Sequence, residues 1–378
     1  MAIHYCKKCL NVSTRPNIRF SDDGICPPCN FFAGDYKPEE EIVQDKLGEV
    51  IAFAKSNNQS GYDCIIGVSG GKDSTRQALY VKEKFGLNPL LVSMNYPPEQ
   101  ISLNGVNNLS NLIEQGFDCI NISCSPQIWR KAMRHAFIHY GNWAKATEYA
   151  LFASVPRVAV AYQIPLIWWG ENAAAVLGEM GVLGKDLSDG NRLKYSNTLG
   201  GGDFNWLLDV GVTRKQILQF IYPTDQEMDR AKIRIVFLDY FMKEFSMQAN
   251  GKFSATRGLH MKKSNPLVNP DITGTSMVDE DFINVNMMIR YLKFGFGRTT
   301  DFVNEEIRYG RMTRDQGIEL VSKYDGNFDP EILERFCSYI EITVKEFWEI
   351  VDRYVNKSLF KQMSEGVYVP LFKPGVGL

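Results

Sequence analysis

The sequence predicts an α/β protein with a doubly wound, mostly parallel sheet, an N-terminal four-cysteine zinc-binding unit and a helical C-terminal region. Three observations support this fold class. Short apolar runs alternate with helical patterns through the first half of the chain, which is typical of a parallel sheet covered on both faces. Two Cys-x-x-Cys pairs precede them, and helical periodicity dominates from Asp279 onward. The predicted units are residues 1–36, 37–277 and 278–378.

Length and charge limit the possible functions. The chain has 378 residues and a formal net charge of −2, which argues against a strongly nucleic-acid-binding surface. The N-terminus lacks the pattern of a signal peptide, and no apolar run approaches about 18 residues. We therefore expect a soluble, cytoplasmic protein without a membrane or nucleic-acid partner.

The N-terminal unit contains a cysteine quartet. Two Cys-x-x-Cys pairs are separated by 16 residues: Cys6, Cys9, Cys26 and Cys29. This spacing is typical of a tetrahedral zinc site. A four-cysteine site leaves no open position for water, so the predicted role of the zinc is structural. Redox pairs or thiols that bind no zinc are the alternatives.

The alternating elements follow in order. A lead-in helix is predicted at 38–57; strands at 62–68, 89–94, 118–122 and 165–169; and helices at 75–85, 103–115, 126–140 and 147–162. Ligands of such sheets bind beyond the carboxyl ends of the strands. Ser69, residues 93–96 and residues 170–172 would gather there.

The turn after the first strand has the chemistry of a phosphate site. Its residues are Ser69, Gly70, Gly71, Lys72, Asp73 and Ser74. Adjacent glycines bring backbone N–H groups close to a ligand, and the following helix presents its positive end. Lys72 adds a charge, and the two serines add hydroxyl groups. The common P-loop spacing is not met. A glycine-rich turn without a ligand is the alternative.

The second half is less specific. Residues 184–203 form a polar, glycine-rich stretch that is typical of a substrate loop or lid. Helices are predicted at 213–222, 225–247, 281–293, 301–308, 313–323, 330–338 and 344–355. Arg257, Lys262 and Lys263 form a basic cluster. It is either a solvated loop or a clamp on an anionic substrate, and the sequence does not decide between them.

The Ser-Gly-Gly-Lys-Asp-Ser loop resembles the pyrophosphate-binding loop of the PP-loop ATP pyrophosphatases. The resemblance implies cleavage of ATP between its α and β phosphates, with Lys72 and the glycine amides at the pyrophosphate, Asp73 near Mg2+ and Met94 at the adenine. Lys72, Asp73, Ser74 and Glu171 are the catalytic candidates.

The segment from Gly170 to Glu179 resembles the second motif of that family, which faces the triphosphate. Gly170 and Asn172 match the motif. Glu171 replaces its usual histidine, and Ala174 and Ala175 replace common acidic residues. A plain strand-to-helix turn is the alternative. Trp169 could stack on a base or sugar, or simply end an apolar strand.

Residues 291–301, 307–310 and 313–314, together with the cysteine pairs and the loop, resemble the N-acetyl sugar amidotransferases of bacterial O-antigen and nonulosonic-acid biosynthesis. The resemblance implies that ATP activates an acetamido oxygen and that ammonia converts the group to an acetamidino group. It implies ATP, Mg2+ and structural zinc as cofactors, and it makes Lys293 and Arg298 candidate substrate contacts. The ammonia would come from a separate glutaminase with an imidazole-glycerol-phosphate-synthase-like channelling partner.

Two other functions remain open. A PP-loop tRNA-modifying enzyme, of the thiolase or lysidine-synthetase kind, would use the zinc unit to grip RNA. The mildly acidic balance disfavours it, as does the lack of a Cys-x-x-Cys pair in the nucleotide domain. A non-catalytic nucleotide sensor ranks third, because the intact loop provides a pyrophosphate site that a sensor does not need.

Overall fold

The computed structural model describes residues 3–35, 39–263 and 265–377. The predicted boundary at residues 36 and 37 lies outside these residues, as does the predicted start of the lead-in helix at residue 38. The strands are β1 Cys64–Gly67, β2 Pro89–Asn95, β3 Cys119–Ser123, β4 Leu166–Trp169, β5 Arg234–Phe237, β6 Phe360–Ser364 and β7 Val367–Pro370. The α-helices are α1 Pro27–Asn30, α2 Glu40–Ser56, α3 Lys72–Phe85, α4 Leu103–Glu114, α5 Pro126–Tyr140, α6 Ala144–Tyr162, α7 Ala173–Val176, α8 Asn205–Leu208, α9 Asp225–Arg230, α10 Met247–Ala255, α11 Ile283–Phe294, α12 Arg298–Arg308, α13 Arg314–Tyr324, α14 Pro330–Tyr339 and α15 Val344–Asp352.

Five parallel strands form the central sheet in the order β3-β2-β1-β4-β5. The chain runs outward from β1 in one direction through β2 and β3, and in the other through β4 and β5. The switch point of this doubly wound sheet is therefore between β1 and β4, and a ligand crevice is expected at their carboxyl ends. The predicted α/β fold class is confirmed.

Helices cover both faces of the sheet because neighbouring residues in each strand point to opposite sides. Ile66 packs in a core with residues of α2 and α3, whereas Ile65 packs in a second core with residues of α6 and α9. Both isoleucines are fully buried. Consecutive strand positions must therefore both be apolar, because each packs into a core on a different face of the sheet, as in other parallel sheets.

The prediction of one helix at 225–247 is wrong. The segment contains α9, the edge strand β5, a short 3-10 turn and the start of α10. A Thr224 capping box starts α9, and Lys232 takes a positive φ of 54° before the strand. The β-branched run at Ile235 and Val236 pairs with β4, which buries both side chains. Pairing with an existing strand outweighs helical propensity here.

The C-terminal region is helical, as predicted, from α11 to α15. Its core is aromatic, with Phe282, Phe336 and Phe347 fully buried. The sequence prediction missed the antiparallel hairpin of β6 and β7 that follows. The helix predicted at 213–222 is instead a run of 3-10 turns at Arg214–Phe220.

The N-terminal unit packs against this C-terminal region. The backbone N–H of Leu10 donates to Asn304 Oδ1 at 2.7 Å, and the Arg15 guanidinium pairs with Asp301 at 2.5 Å. Arg15 and Asp301 are both buried. Among the described residues, no helix has the length and apolar character that crossing a bilayer requires.

Candidate functional site

The loop between β1 and α3 is shaped by its glycines. Gly70 has a φ of +80°, and a Cβ there would lie 2.4 Å from the carbonyl oxygen of Gly105 in α4. Gly71 is the N-cap residue of α3. The hydroxyl groups of Ser74 and Thr75 donate to its carbonyl oxygen at 3.2 and 2.9 Å. The loop therefore turns tightly onto the amino end of a 14-residue helix, where an anion is favoured.

Lys72 and Asp73 begin that helix as an ion pair. The Lys72 side chain is 3% exposed, and its Nζ lies 2.6 Å from Asp73 Oδ2. The other Asp73 oxygen accepts from Asn250 Nδ2 at 2.7 Å. Burial alone would raise the pKa of Asp73, but the Lys72 ammonium and the Asn250 amide hold it below its usual value. The Asp73 carboxylate is therefore charged at neutral pH.

Helix α10 supports the loop from behind. The hydroxyl of Ser254 donates to the carbonyl oxygen of Lys72 at 2.7 Å. Asn250 accepts from Arg76 Nη1 at 2.7 Å while it donates to Asp73. Ser254 and Asn250 are both buried. Sequence reasoning missed them because no motif or spacing relates residues so far apart in the chain.

A cavity of about 340 Å³ opens at the carboxyl ends of β1, β2 and β4. We call it the loop cavity. The sequence-predicted residues on its wall are Ser69, Gly71, Lys72, Asp73, Ser74, Met94, Trp169, Gly170, Glu171 and Arg298. The sheet thus brings together residues from three separate strand ends and from the start of α12.

The loop cavity also has polar walls that the sequence did not indicate. Gln77 Nε2 donates to the carbonyl oxygen of Trp168 at 2.7 Å, which holds the end of β4 beside α3. Burial raises the pKa of Asp279, and the nearby Ser69 side chain partly offsets this shift. Its backbone also packs where a Cβ on Gly105 would stand. These residues lacked any recognisable local motif.

Arg298 projects into the loop cavity from the amino end of α12. One guanidinium nitrogen donates to Ser276 Oγ at 2.8 Å. Its Nε is buried and has no hydrogen-bond partner among the described residues. This Nε is thus an unsatisfied donor on a side chain that lines the cavity.

A second cavity of about 490 Å³ lies beside the first. We call it the adjoining cavity. Its polar lining includes Arg15, Asn142, Lys145, Glu148, Glu171, Glu179, Asn197, Arg290 and Lys293. Phe152, Trp169 and Glu171 line both cavities. The rings of Phe152 and Trp169 pack at an interplanar angle of 41°, with centroids 5.0 Å apart. The two cavities therefore meet at these three residues, which we call the junction.

Glu171 is the titratable group at the junction. Burial, and next the negative charge of Asp73, raise the pKa of its carboxyl group to about 7. Such a group exchanges a proton near neutral pH, as a general acid or base requires.

The glycine-rich stretch 184–203 forms a wall of the adjoining cavity, with Ser196, Asn197 and Thr198 on its surface. Glu179 Oε2 accepts from the backbone N–H of Asn197 at 3.1 Å. The Tyr149 hydroxyl donates to the carbonyl oxygen of Leu199 at 2.7 Å. The stretch is irregular, as predicted.

Other predicted residues lie elsewhere. Asn172 is buried as the cap of α7, where its side chain accepts from the backbone N–H of Ala174. Arg257 pairs with Glu83 at 2.6 Å, away from both cavities. Lys262 pairs with Asp281 at 3.3 Å, and Lys263 is exposed. The basic cluster is therefore not brought to either cavity.

The four predicted metal ligands converge. The sulfur atoms of Cys6, Cys9, Cys26 and Cys29 all lie within 4.8 Å of one another, and the Cys9 and Cys26 sulfurs are 3.6 Å apart. All four residues are buried. Four thiolates bound to one zinc ion at about 2.3 Å have sulfurs about 3.8 Å apart. The site therefore fits a single tetrahedral ion.

Backbone groups complete the cysteine site. The N–H groups of Asn11 and Cys26 donate to the sulfurs of Cys9 and Cys6, both at 3.3 Å. Arg308 lies beside Cys29 in the wall of a small surface pocket and donates to the carbonyl oxygen of Val176 in α7 at 3.2 Å. The cysteine site thus supports the segment that follows β4 and carries Glu171.

The C-terminal region matches a known protein family. Residues 276–372 match the family described as LPS biosynthesis protein WbpG-like, C-terminal domain. This region is similar to that family, and we call residues 276–372 the WbpG-like region. The match confirms the predicted resemblance to lipopolysaccharide-biosynthesis proteins for this part of the chain. The WbpG-like region contributes Met277, Val278, Asp279 and Arg298 to the loop cavity, and Arg290 and Lys293 to the adjoining cavity.

Two individual proteins are also similar. An uncharacterized protein of Methanocaldococcus jannaschii, MJ1599, is 34% identical over 91 residues, which is 24% of this chain; the chain spans about a third, 32%, of that relative's length. The solved U34-tRNA thiolase NcsA from Methanococcus maripaludis with its 4Fe-4S cluster is 13% identical, with a TM-score of 0.25, over 61% of this chain and 80% of that one. A TM-score this low supports no inference about the site.

Proposed function

We propose that the protein is an ATP-dependent amidotransferase that converts an N-acetyl group of a bacterial surface-polysaccharide sugar into an acetamidino group. The supporting observation is the junction of two cavities at Trp169 and Glu171. One is built on a phosphate-binding loop, and the other is polar and charged. The WbpG-like region lines both. Its family description supports a sugar of lipopolysaccharide biosynthesis as the acceptor.

ATP would occupy the loop cavity. The N–H groups of the loop, the Lys72 ammonium and the free Nε of Arg298 would hold its phosphates. Met94, at the end of β2, would contact the adenine. Asp73 supplies a carboxylate oxygen of the kind that Mg2+ prefers, and Mg2+ would neutralise phosphate charge there.

The reaction has two steps. The acetamido oxygen attacks the α-phosphorus of ATP, so an O–P bond forms and the bond to the β-phosphate oxygen breaks, releasing pyrophosphate. Ammonia then adds to the activated carbon, and AMP leaves with the former acetamido oxygen. Lys72 and the loop amides stabilise the charge on the departing pyrophosphate. Glu171, with its pKa near 7, accepts a proton from the attacking nitrogen.

The acceptor would be a UDP-linked diacetamido-uronic acid or a nonulosonic acid, placed in the adjoining cavity with its acetamido group at Trp169. Ammonia would be supplied by a separate glutaminase through a channelling partner. Purified protein should therefore use ammonium chloride but not glutamine. Glutamine consumption by the isolated chain would contradict the partner proposal.

We propose zinc as the ion of the cysteine site, because four thiolates at these separations suit a single closed tetrahedral ion. Its role is structural, since no coordination position remains for water or substrate.

Mass spectrometry tests the proposed reaction. Each candidate sugar is incubated with the protein, ATP, Mg2+ and ammonium chloride at mildly alkaline pH. The expected product is lighter by the difference between an oxygen atom and an NH group, and it forms with equimolar AMP. Lys72→Met should lower this rate by roughly 100-fold or more, whereas Lys84→Met, on the exposed part of the same helix, should not. AMP release that depends on tRNA, or ATP binding without cleavage, would contradict the proposal.

A further inference from the structure

The adjoining cavity has an unbalanced set of charges. Its lining contains four cationic side chains, Arg15, Lys145, Arg290 and Lys293, and three carboxyl groups, Glu148, Glu171 and Glu179. The cations are not paired with these carboxyl groups: among the described residues, none of the four forms an ion pair with any of the three. The question is what neutralises them.

The two lysines contact only neutral groups. Lys145 Nζ donates to the carbonyl oxygen of Thr198 at 2.8 Å and lies over the Tyr149 ring, 4.8 Å from its centroid. Lys293 Nζ donates to the carbonyl oxygens of Tyr140 and Gly141 at 2.7 and 3.3 Å. No carboxylate lies within 4 Å of either ammonium in the part of the chain that the structure describes. Both ammonium groups flank Tyr140, because Lys145 also lies over its ring at 5.1 Å.

The two arginines share one carboxylate. Arg15 and Arg290 bind opposite oxygens of Asp301 at 2.5 and 2.6 Å. Two guanidinium groups thus face one negative charge. Arg290 Nε is buried without a hydrogen-bond partner among the described residues, as is Asn142 Oδ1 on the same cavity. An unpartnered buried donor costs free energy unless a ligand satisfies it.

The carboxyl groups of the cavity offset this positive charge only in part. Burial is the main cause of two pKa shifts. It raises the pKa of Glu148 to about 7, and it also raises the pKa of Glu179. Glu179 also accepts a hydrogen bond from the backbone of Asn197, and the nearby Thr198 side chain partly offsets the shift of Glu148. Burial likewise lowers the pKa of Lys293 to about 8, as expected for an ammonium that lacks a counter-ion.

We propose that the adjoining cavity is an oxyanion-binding subsite, in which the ammonium groups of Lys145 and Lys293 and the free donor of Arg290 hold a negatively charged group of the acceptor. The inference rests on the proposed function only in naming the acceptor as the carrier of that charge. The oxyanion is either a carboxylate of the sugar or the diphosphate of a nucleotide-linked sugar, and both offer the same acceptor oxygens to these donors.

Calorimetric binding of four ligands to the full chain, with a non-hydrolysable ATP analogue present, separates the two sources. UDP-N-acetylglucosamine carries only the diphosphate, N-acetylneuraminic acid only the carboxylate, UDP-N-acetylglucosaminuronic acid both, and N-acetylglucosamine neither. With the wild-type protein, at least one charged ligand should bind roughly tenfold or more tightly than N-acetylglucosamine. Equal affinities, or no binding of any ligand, would overturn the proposal without recourse to a variant.

Variants then identify the groups. Lys145→Met and Lys293→Met should each weaken the preferred charged ligand by about tenfold or more and leave N-acetylglucosamine unchanged. Lys293→Arg should retain the preference, and Lys345→Met, at an exposed lysine, should have no effect. Binding of the ATP analogue reports that each variant is folded. If Lys293→Met only loosens α5, whose last carbonyl it caps, without a change in the charge preference, Lys293 is a structural residue and its assignment fails.

The two proposals can fail separately. Charge-selective binding that depends on these lysines, without formation of an acetamidino product, would contradict only the proposed function. Product formation with no charge preference in acceptor binding would contradict only the oxyanion subsite.

Discussion

Glu171 is the residue whose chemistry depends most on its surroundings. It lies at the junction of the two cavities, and burial near Asp73 raises the pKa of its carboxyl group to about 7. A raised pKa means that the folded protein binds this proton more tightly than the unfolded chain does. The stabilisation is complete below the unfolded-state pKa and is lost as the pH rises through about 7.

Glu171→Gln should therefore change two pH profiles. In the wild type, the rate of acetamidino formation should rise through about pH 7 as the carboxylate forms, and in the variant this inflection should disappear with most of the rate. The thermal midpoint of the ligand-free wild type should fall between pH 5 and pH 8 by more than that of the variant. Rates and calorimetric midpoints measure the two effects. An unchanged inflection in the variant would assign the proton to another group.

At the scale of elements, the site is an arrangement of α3, α4 and α10 around one strand end. Gly70 touches the backbone of α4, and Gly105 of α4 in turn touches the backbone of Asp279. The WbpG-like region therefore lies against the loop through two glycine contacts. Helix α10 closes the other side through Ser254 and Asn250.

Gly70→Ala should disrupt this packing. The substitution combines a strained φ of +80° with a Cβ 2.4 Å from the Gly105 oxygen, so stability should fall by about 1–3 kcal/mol and ATP-dependent activity should be lost. Gly86→Ala is the matched control, because its φ of +63° is also positive but its Cβ would meet nothing within 4 Å. Chemical denaturation measures both. Equal losses in the two variants would show that the close approach to α4 is unimportant.

Asn250→Ala should destabilise the first turns of α3. It removes one hydrogen bond to Asp73 and one to Arg76, which should cost about 1–3 kcal/mol of stability. AMP formation should fall at least about tenfold, because Asp73 loses a group that orients it. Lys252→Ala, at an exposed position of the same helix, should have little effect on either quantity. Full activity of Asn250→Ala would show that α10 is only a scaffold for the loop.

At the scale of the whole molecule, the cysteine unit connects the site with the C-terminal region. Arg15 reaches from this unit to Asp301 in α12, and Arg308 of α12 lies beside Cys29 and bonds to α7. A unit too small to bury a large core of its own is therefore held by its neighbours and, as we propose, by a metal ion.

Removal of the metal ion should destabilise the cysteine unit and its contacts with α12 and α7. Purified protein should contain about one zinc per chain and no iron by elemental analysis. A chelator, or Cys26→Ser, should lower the thermal midpoint and also reduce activity through the displaced Glu171 segment. Cys119→Ser is the control, because Cys119 lies on β3, outside the quartet. Iron in place of zinc would contradict the proposed ion, and full activity without metal would limit the ion to stabilising the N-terminal unit.

Local sequence patterns were sufficient to predict several features of the fold and of the site. The cysteine quartet, the loop from Ser69 to Ser74 and the positions of strands β1 to β4 along the chain each depend on neighbours in the chain, through spacing, glycine content and apolar periodicity. Strand β5 did not follow from such patterns, because it forms by pairing with β4.

The residues of the site also divide into those that a local sequence pattern predicts and those that it does not. Lys72, Asp73 and Glu171 belong to segments that follow a strand, and an apolar strand followed by a turn is a local signal. Asn250, Asp279 and Lys145 belong to no such segment. The sequence alone determined the fold class, the glycine-rich turn between β1 and α3 and the cysteine quartet. Only the tertiary structure decided which distant side chains support the loop and which cations share the second cavity, because those contacts join segments whose spacing along the chain carries no physical constraint.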